Sequence, residues 1–134
     1  MRFRLAVATE FERRRRLNPR YSLRGFARAV GVHHSTLSRL LRSRRPVPHR
    51  TVSALGRRLG LSRQEVALFA ARENVAAVAE AIGRATFRPD ARWLASVAGI
   101  SVDGVHVALQ TLLRLGRLRM VSRLEWVLEG EGMR

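Results

Sequence analysis

The stretch SLRGFARAVGVHHSTLSRLLR, residues 22–42, decides how this chain folds. Ser22 has N-cap chemistry. Behind it Leu23, Phe26, Ala27 and Val30 share one face of a short helix over about 23–30. Gly31 stands where that helix must end, because a residue without Cβ enters the left-handed region freely. His33 then precedes a second short helix over about 34–42, with Leu37, Leu40 and Leu41 directed inward. The spacing Ala27-x3-Gly31-x5-Leu37 meets three steric demands. A small residue lies where the helices cross, a glycine lies at the turn, and a large apolar side chain fills the space between them. Two short helices joined this way form a two-helix wedge.

Charge gathers around that wedge. The chain has 134 residues, 26 basic and 10 acidic, with a formal net charge of +16. Every basic residue is arginine. Residues 1–62 hold 16 arginines against Glu10 and Glu12, a balance of +14, whereas residues 63–134 hold 10 arginines against 8 acids, a balance of +2. A domain this positive repels itself unless it meets a polyanion, so the front of the chain is the polyanion-facing part. No apolar run reaches the roughly 18–20 residues that span a bilayer. The opening apolar stretch is too short for a signal peptide. There are no cysteines, hence no disulfide framework and no thiolate metal site. A cytoplasmic, bacterial nucleoid-associated location is the expectation.

Outward from residues 22–42 the pattern is helical almost throughout. Phe3, Val7 and Phe11 recur every four residues and predict a helix over 3–17, ended by Asn18-Pro19. Its last turn is Arg13-Arg14-Arg15-Arg16, where cations suit the negative end of the helix dipole. A basic loop with two prolines, residues 42–48, leads to a helix over 49–59 with Val52, Leu55 and Leu59 inward. Ser62-Arg63-Gln64-Glu65 is a capping box opening a helix that reaches at least Phe69. Residues 70–76 read as a helical connection. Val75, Val78, Ala79 and Ile82 form an apolar stripe, and helices over 90–98 and 102–115 follow. In the last of these Val105, Leu109, Leu112 and Leu113 are expected inward. Leu118–Val121 and Leu124–Leu128 alternate as a β-hairpin across Ser122-Arg123, and Glu129 to Arg134 is expected to fray.

The Ala27, Gly31 and Leu37 geometry resembles the phage-repressor and Cro-like (XRE-type) helix-turn-helix family. Residues 3–69 match its five-helix layout. The longer order, with Asn18-Pro19-Arg20-Tyr21-Ser22-Leu23-Arg24 ahead of the motif and Arg88-Pro89-Asp90-Ala91-Arg92-Trp93 after it, is similar to a bacterial family of inferred regulators. In that family a repressor-like domain precedes a winged-helix segment. The resemblance implies a mainly α fold: a helix-turn-helix domain over 1–70, then a winged-helix-like domain over 71–134. It also implies that helix 34–42 enters the major groove of duplex DNA. Base edges would be read by His34, Ser35, Ser38 and Arg39, the guanidinium fork of Arg39 matching guanine O6 and N7. Phosphates would be held by Ser22, Arg24, Arg28, Thr36, Arg42, Arg44 and Arg45. The family often places glycine after the second helix, where this chain has Ser43.

The second helix pair, around Gly99-Ile100-Ser101, offers Asp103, His106, Val107, Gln110 and Arg114 outward. An acid at the end that would enter a groove argues against DNA reading, so dimerisation or protein-partner contact is the expectation for 71–134. Trp93, Val97, Ile100, Val105, Leu109, Leu118 and Trp126 are its expected core. Adjacent His33 and His34 point about 100° apart and share no ligand face, so no metal is expected, and no cofactor. No phosphate-binding, dinucleotide, zinc-protease or nucleophile-elbow motif is present, and the chain is expected not to be an enzyme. The leading function is a sequence-specific, double-stranded DNA-binding transcriptional regulator, acting as a homodimer. The rivals are a nonspecific nucleoid or RNA-binding protein and an antitoxin-like adaptor.

Overall fold

The computed structural model describes residues 1–129; the tail expected to fray lies, from Gly130 on, outside the described residues. Seven helices precede a two-stranded sheet: α1 Phe3–Leu17, α2 Leu23–Ala29, α3 His34–Arg42, α4 His49–Arg58, α5 Arg63–Ile82, α6 Ala91–Ala98, α7 Val102–Arg114, β1 Leu118–Met120 and β2 Trp126–Leu128. The chain divides into two compact units, Met1–Glu73 and Asn74–Arg134, each with its own apolar core. The division falls inside α5, which is one continuous helix and does not stop at Phe69. The reason is local: residues 70–82 contain no glycine or proline and six alanines, the best helix former. Ser62 and Glu65 close the expected capping box, each side chain accepting the other's backbone N–H at 3.1 and 2.8 Å.

In the first unit Phe3, Val7, Phe26, Ala27, Val30, Leu37, Val52, Leu55 and Phe69 form the core. Phe3 meets Phe69 edge-on at 5.6 Å, and Phe11 stacks on Phe26 at 5.2 Å. Sequence periodicity placed all of these residues but Phe69 inside. It did not place Glu73, which is 1% exposed. The Glu73 carboxylate accepts from Arg2 Nε at 2.7 Å and Arg2 Nη2 at 3.0 Å, from the backbone N–H of Phe3 at 3.1 Å, and from that of Val47 at 2.7 Å. Burial pushes its pKa up, but the hydrogen bonds from Arg2, Val47 and Phe3 outweigh that and hold it below the usual glutamate range.

The second unit packs Val78, Ala81, Ile82, Leu94, Val105, Ala108, Leu109, Leu112 and Leu118. Trp93, Val97, Ile100 and Trp126, expected in this core, are only partly buried and pack around it, with Phe87 against both tryptophans at 6.0 and 5.3 Å. Leu113, expected inward, is 42% exposed. At about 100° per residue it lies off the arc of Val105, Ala108, Leu109 and Leu112. Asp90 caps α6 by accepting Arg92 N–H at 2.9 Å. The hairpin pairs Leu118 with Leu128, Arg119 with Val127 and Met120 with Trp126. Its strands are shorter than the alternation suggested. Ser122 accepts the N–H groups of Leu124 and Glu125, which makes residues 121–125 a turn.

Removing the Glu73 charge leaves buried donors poorly paired, so Glu73→Gln is expected to lower unfolding free energy by about 2–4 kcal/mol at pH 7. A carboxyl whose folded pKa is depressed adds stability above its unfolded pKa, about 4.3, and loses it as pH falls through the folded value. The gap between wild type and Glu73→Gln in urea denaturation should therefore be constant above the unfolded value and narrow as pH falls below it.

Candidate nucleic-acid interface

The α2–α3 wedge is built as its sequence requires. Ser22 Oγ accepts Gly25 N–H at 3.0 Å and starts α2. Gly31 takes φ 73°, and Val32 N–H reaches back to Ala27 C=O at 3.0 Å, closing the helix C-terminus. A Cβ on Gly31 would meet only the guanidinium end of exposed Arg58, at 3.3 Å, which can swing aside, so it is φ that favours glycine. Ala27 is buried, and Leu37 is 0% exposed beneath α3. His33 caps α3: its Nδ1 accepts Ser35 N–H at 3.2 Å and lies 2.8 Å from Ser35 Oγ.

Burying Leu37 fixes what α3 shows to solvent. Residues 35, 39 and 42 lie on the face opposite it, and Ser35, Arg39 and Arg42 are all exposed. His34 and Ser38 are half-buried on the side of the helix, and Thr36 is exposed on the other. Arg24 and Arg28 on α2, and Arg44 and Arg45 after α3, are exposed, as is Ser22. None of these arginines, nor Arg39 or Arg42, forms an ion pair among the described residues. Arg42 Nε lies 3.3 Å from Ser38 C=O, a donation along its own helix. Ser43, where glycine is usual in the family resembled, is extended (φ −85°, ψ 143°) and needs no glycine. Its hydroxyl accepts Arg45 N–H at 3.0 Å and shapes the loop locally.

A shallow, mostly apolar cleft runs beside α3, between Thr36, Arg39 and Leu40 on one wall and Pro46, Val47 and Thr51 on the other. Glu73, which the sequence reading missed, holds the far wall through Val47 N–H. The signal was there: Glu73 follows Phe69 by four residues, on the apolar face of α5. Not all the arginine charge faces outward unpaired. In the α1 run, Arg13 and Arg14 bond to Glu10 at 2.8 Å, Arg14 also donates to Tyr21 Oη at 3.2 Å and covers the Phe26 ring at 5.1 Å, and Arg15 pairs with Glu12 at 3.5 Å. The hydrogen bond from Arg13, joined by Arg14 and opposed by desolvation, holds the Glu10 carboxyl at about 2. Among the described residues no three His, Asp or Glu side chains converge as a metal site, and no single helix is long and apolar enough to cross a membrane.

Loss of the His33 cap should cost about 1 kcal/mol. His33→Ala is expected to lower the thermal midpoint, and His33→Asp, which keeps an acceptor over the Ser35 N–H, to recover most of it in the same melting experiment.

No curated protein and no solved structure matches the chain. Residues 11–69, which begin within α1 and end within α5, match the family described as a helix-turn-helix domain. The buried Leu37 plug, the Gly31 turn and the exposed α3 face give this segment the helix-turn-helix geometry that the match describes.

Proposed function

We propose that the protein is a sequence-specific, double-stranded DNA-binding transcriptional regulator that lays α3 in the major groove. The observation that carries this reading is the pairing of a fully buried Leu37 with an exposed Ser35, Arg39 and Arg42 on the opposite face. A helix held this way presents a fixed polar surface, and arginines on both sides have no carboxylate partners among the described residues. Arg39 reads a base, with His34, Ser35 and Ser38 adjusting the fit from the helix start and flank. Ser22, Arg24, Arg28, Thr36, Arg42, Arg44 and Arg45 contact phosphates, which fix register without reading sequence. The tether from Glu73 to Val47 supports this by fixing the end of the loop that carries Arg44 and Arg45.

The second unit, a winged-helix arrangement in this reading, serves protein contacts. Its α7 opens with exposed Asp103, which would face phosphates if the helix entered a groove. No aromatic of the first unit is exposed: Phe3, Phe26 and Phe69 are buried, and Phe11 and Tyr21 are half-buried against the core. That disfavours single-strand binding, which stacks bases on open rings.

About six phosphates neutralised per monomer give a slope near −5 for log K against log salt, measured by fluorescence anisotropy on duplexes selected from a random library. Arg39→Ala should lose about 1–3 kcal/mol of discrimination at one base position. Arg44→Ala should weaken selected and random duplexes alike. Equal losses on both duplexes for Arg39→Ala would remove its role as a reader.

A further inference from the structure

The exposed face of α7 carries a pattern that the DNA reading does not use. The core arc of α7 is Val105, Ala108, Leu109 and Leu112. Directly opposite lie Asp103, Val107, Gln110 and Arg114, spaced 4, 3 and 4 residues apart, and all four are exposed, Val107 at 58%. Neither Asp103 nor Arg114 forms an ion pair among the described residues. They sit at opposite ends of the stripe, roughly 16 Å apart along the axis.

This stripe is its own complement when reversed. A two-fold axis crossing the helix at the level of Ala108 and Leu109 sets Asp103 against Arg114 of a second copy at both ends. In the middle it sets Val107 against the aliphatic stem of Gln110. A parallel pairing would instead set like charges together at both ends. The helix dipole accounts for an acid in the first turn and a base in the last. It does not account for both charges lying in one line with an exposed valine, on the face farthest from the core. Leu113, 42% exposed at the edge of the same face, adds apolar area to the contact.

We propose that α7 is a homodimer contact, pairing antiparallel with α7 of a second copy through Asp103–Arg114 ion pairs around a Val107–Gln110 centre. The proposal deepens, and rests on, the assignment of the second unit to protein contacts. One helix of 13 residues is a small interface, below the area of standard stable complexes. The dimer is therefore weak in free solution and sensitive to salt.

The test is sedimentation equilibrium of the full chain at low ionic strength, with circular dichroism to confirm unchanged helicity. Wild type should self-associate at sub-millimolar concentration. Asp103→Arg and Arg114→Asp should each weaken association about tenfold or more, because like charges then meet at both ends. An equimolar mixture of the two variants should regain association, since every end contact in that heterodimer is again attractive. A monomeric wild type, single variants that associate like wild type, or a mixture that stays monomeric would each overturn the antiparallel α7 contact. If wild type is monomeric and Asp103→Arg also tightens duplex DNA binding in a way that needs Arg114, the protein-contact assignment falls with it. If wild type is monomeric and DNA affinity is unmoved, only the second-copy inference falls.

Discussion

One carboxylate gathers three separate stretches of the first unit. Glu73, near the middle of α5, accepts from the Arg2 side chain, from the first N–H of α1 and from the N–H of Val47. The two backbone N–H groups would otherwise need partners inside an apolar core, where an unmade hydrogen bond costs about 1–3 kcal/mol. A buried charge is expensive to desolvate, and here four donated hydrogen bonds, two of them from a guanidinium, offset the cost. The result reaches the candidate interface. With Val47 fixed, the loop from Ser43 to Pro48 has a defined far end, and its near end is shaped by the Ser43 hydroxyl.

Arginine performs two kinds of work in this chain. Arg13, Arg14 and Arg15 are engaged with Glu10, Glu12, Tyr21 and aromatic faces, and they stiffen α1 against α2. Arg24, Arg28, Arg39, Arg44 and Arg45 have no carboxylate to satisfy them among the described residues. Formal charge counts both groups equally. The field that a polyanion meets comes mostly from the second group, because the first is partly cancelled at contact distance.

The turn that joins α2 to α3 recurs between α6 and α7. Val32 N–H bonds Ala27 C=O behind Gly31, and Ile100 N–H bonds Ala95 C=O behind Gly99, with φ 73° and 71° at the two glycines. In each case the residue two places after the glycine caps the next helix, His33 for α3 and Ser101 for α7. The backbone solution is shared and the surface chemistry is not. Opposite its buried face α3 shows a serine and two arginines, whereas α7 shows an acid, a valine, an amide and a base. Backbone geometry alone therefore does not tell the two helices apart; the side chains on their outer faces do.

Helix positions, the glycine turns, the capping box and the core of the first unit were legible in the sequence, because each rests on local periodicity or on a residue with one clear conformational use. Val7, Phe26 and Leu37 lie inside, as their spacing demands. The sequence also determined which residues of α3 could face outward, once Leu37 was placed within. Tertiary structure decided what no window of a few residues contains. Glu73 is a buried hub only because Arg2 and Val47, 71 and 26 positions away, converge on it. Leu94 displaced Trp93 from the centre of the second core, and Leu113 was left at the surface. Those outcomes depend on how neighbouring elements share a limited interior. Periodicity gives a helix its apolar side, but packing fixes how wide an arc of that side is covered.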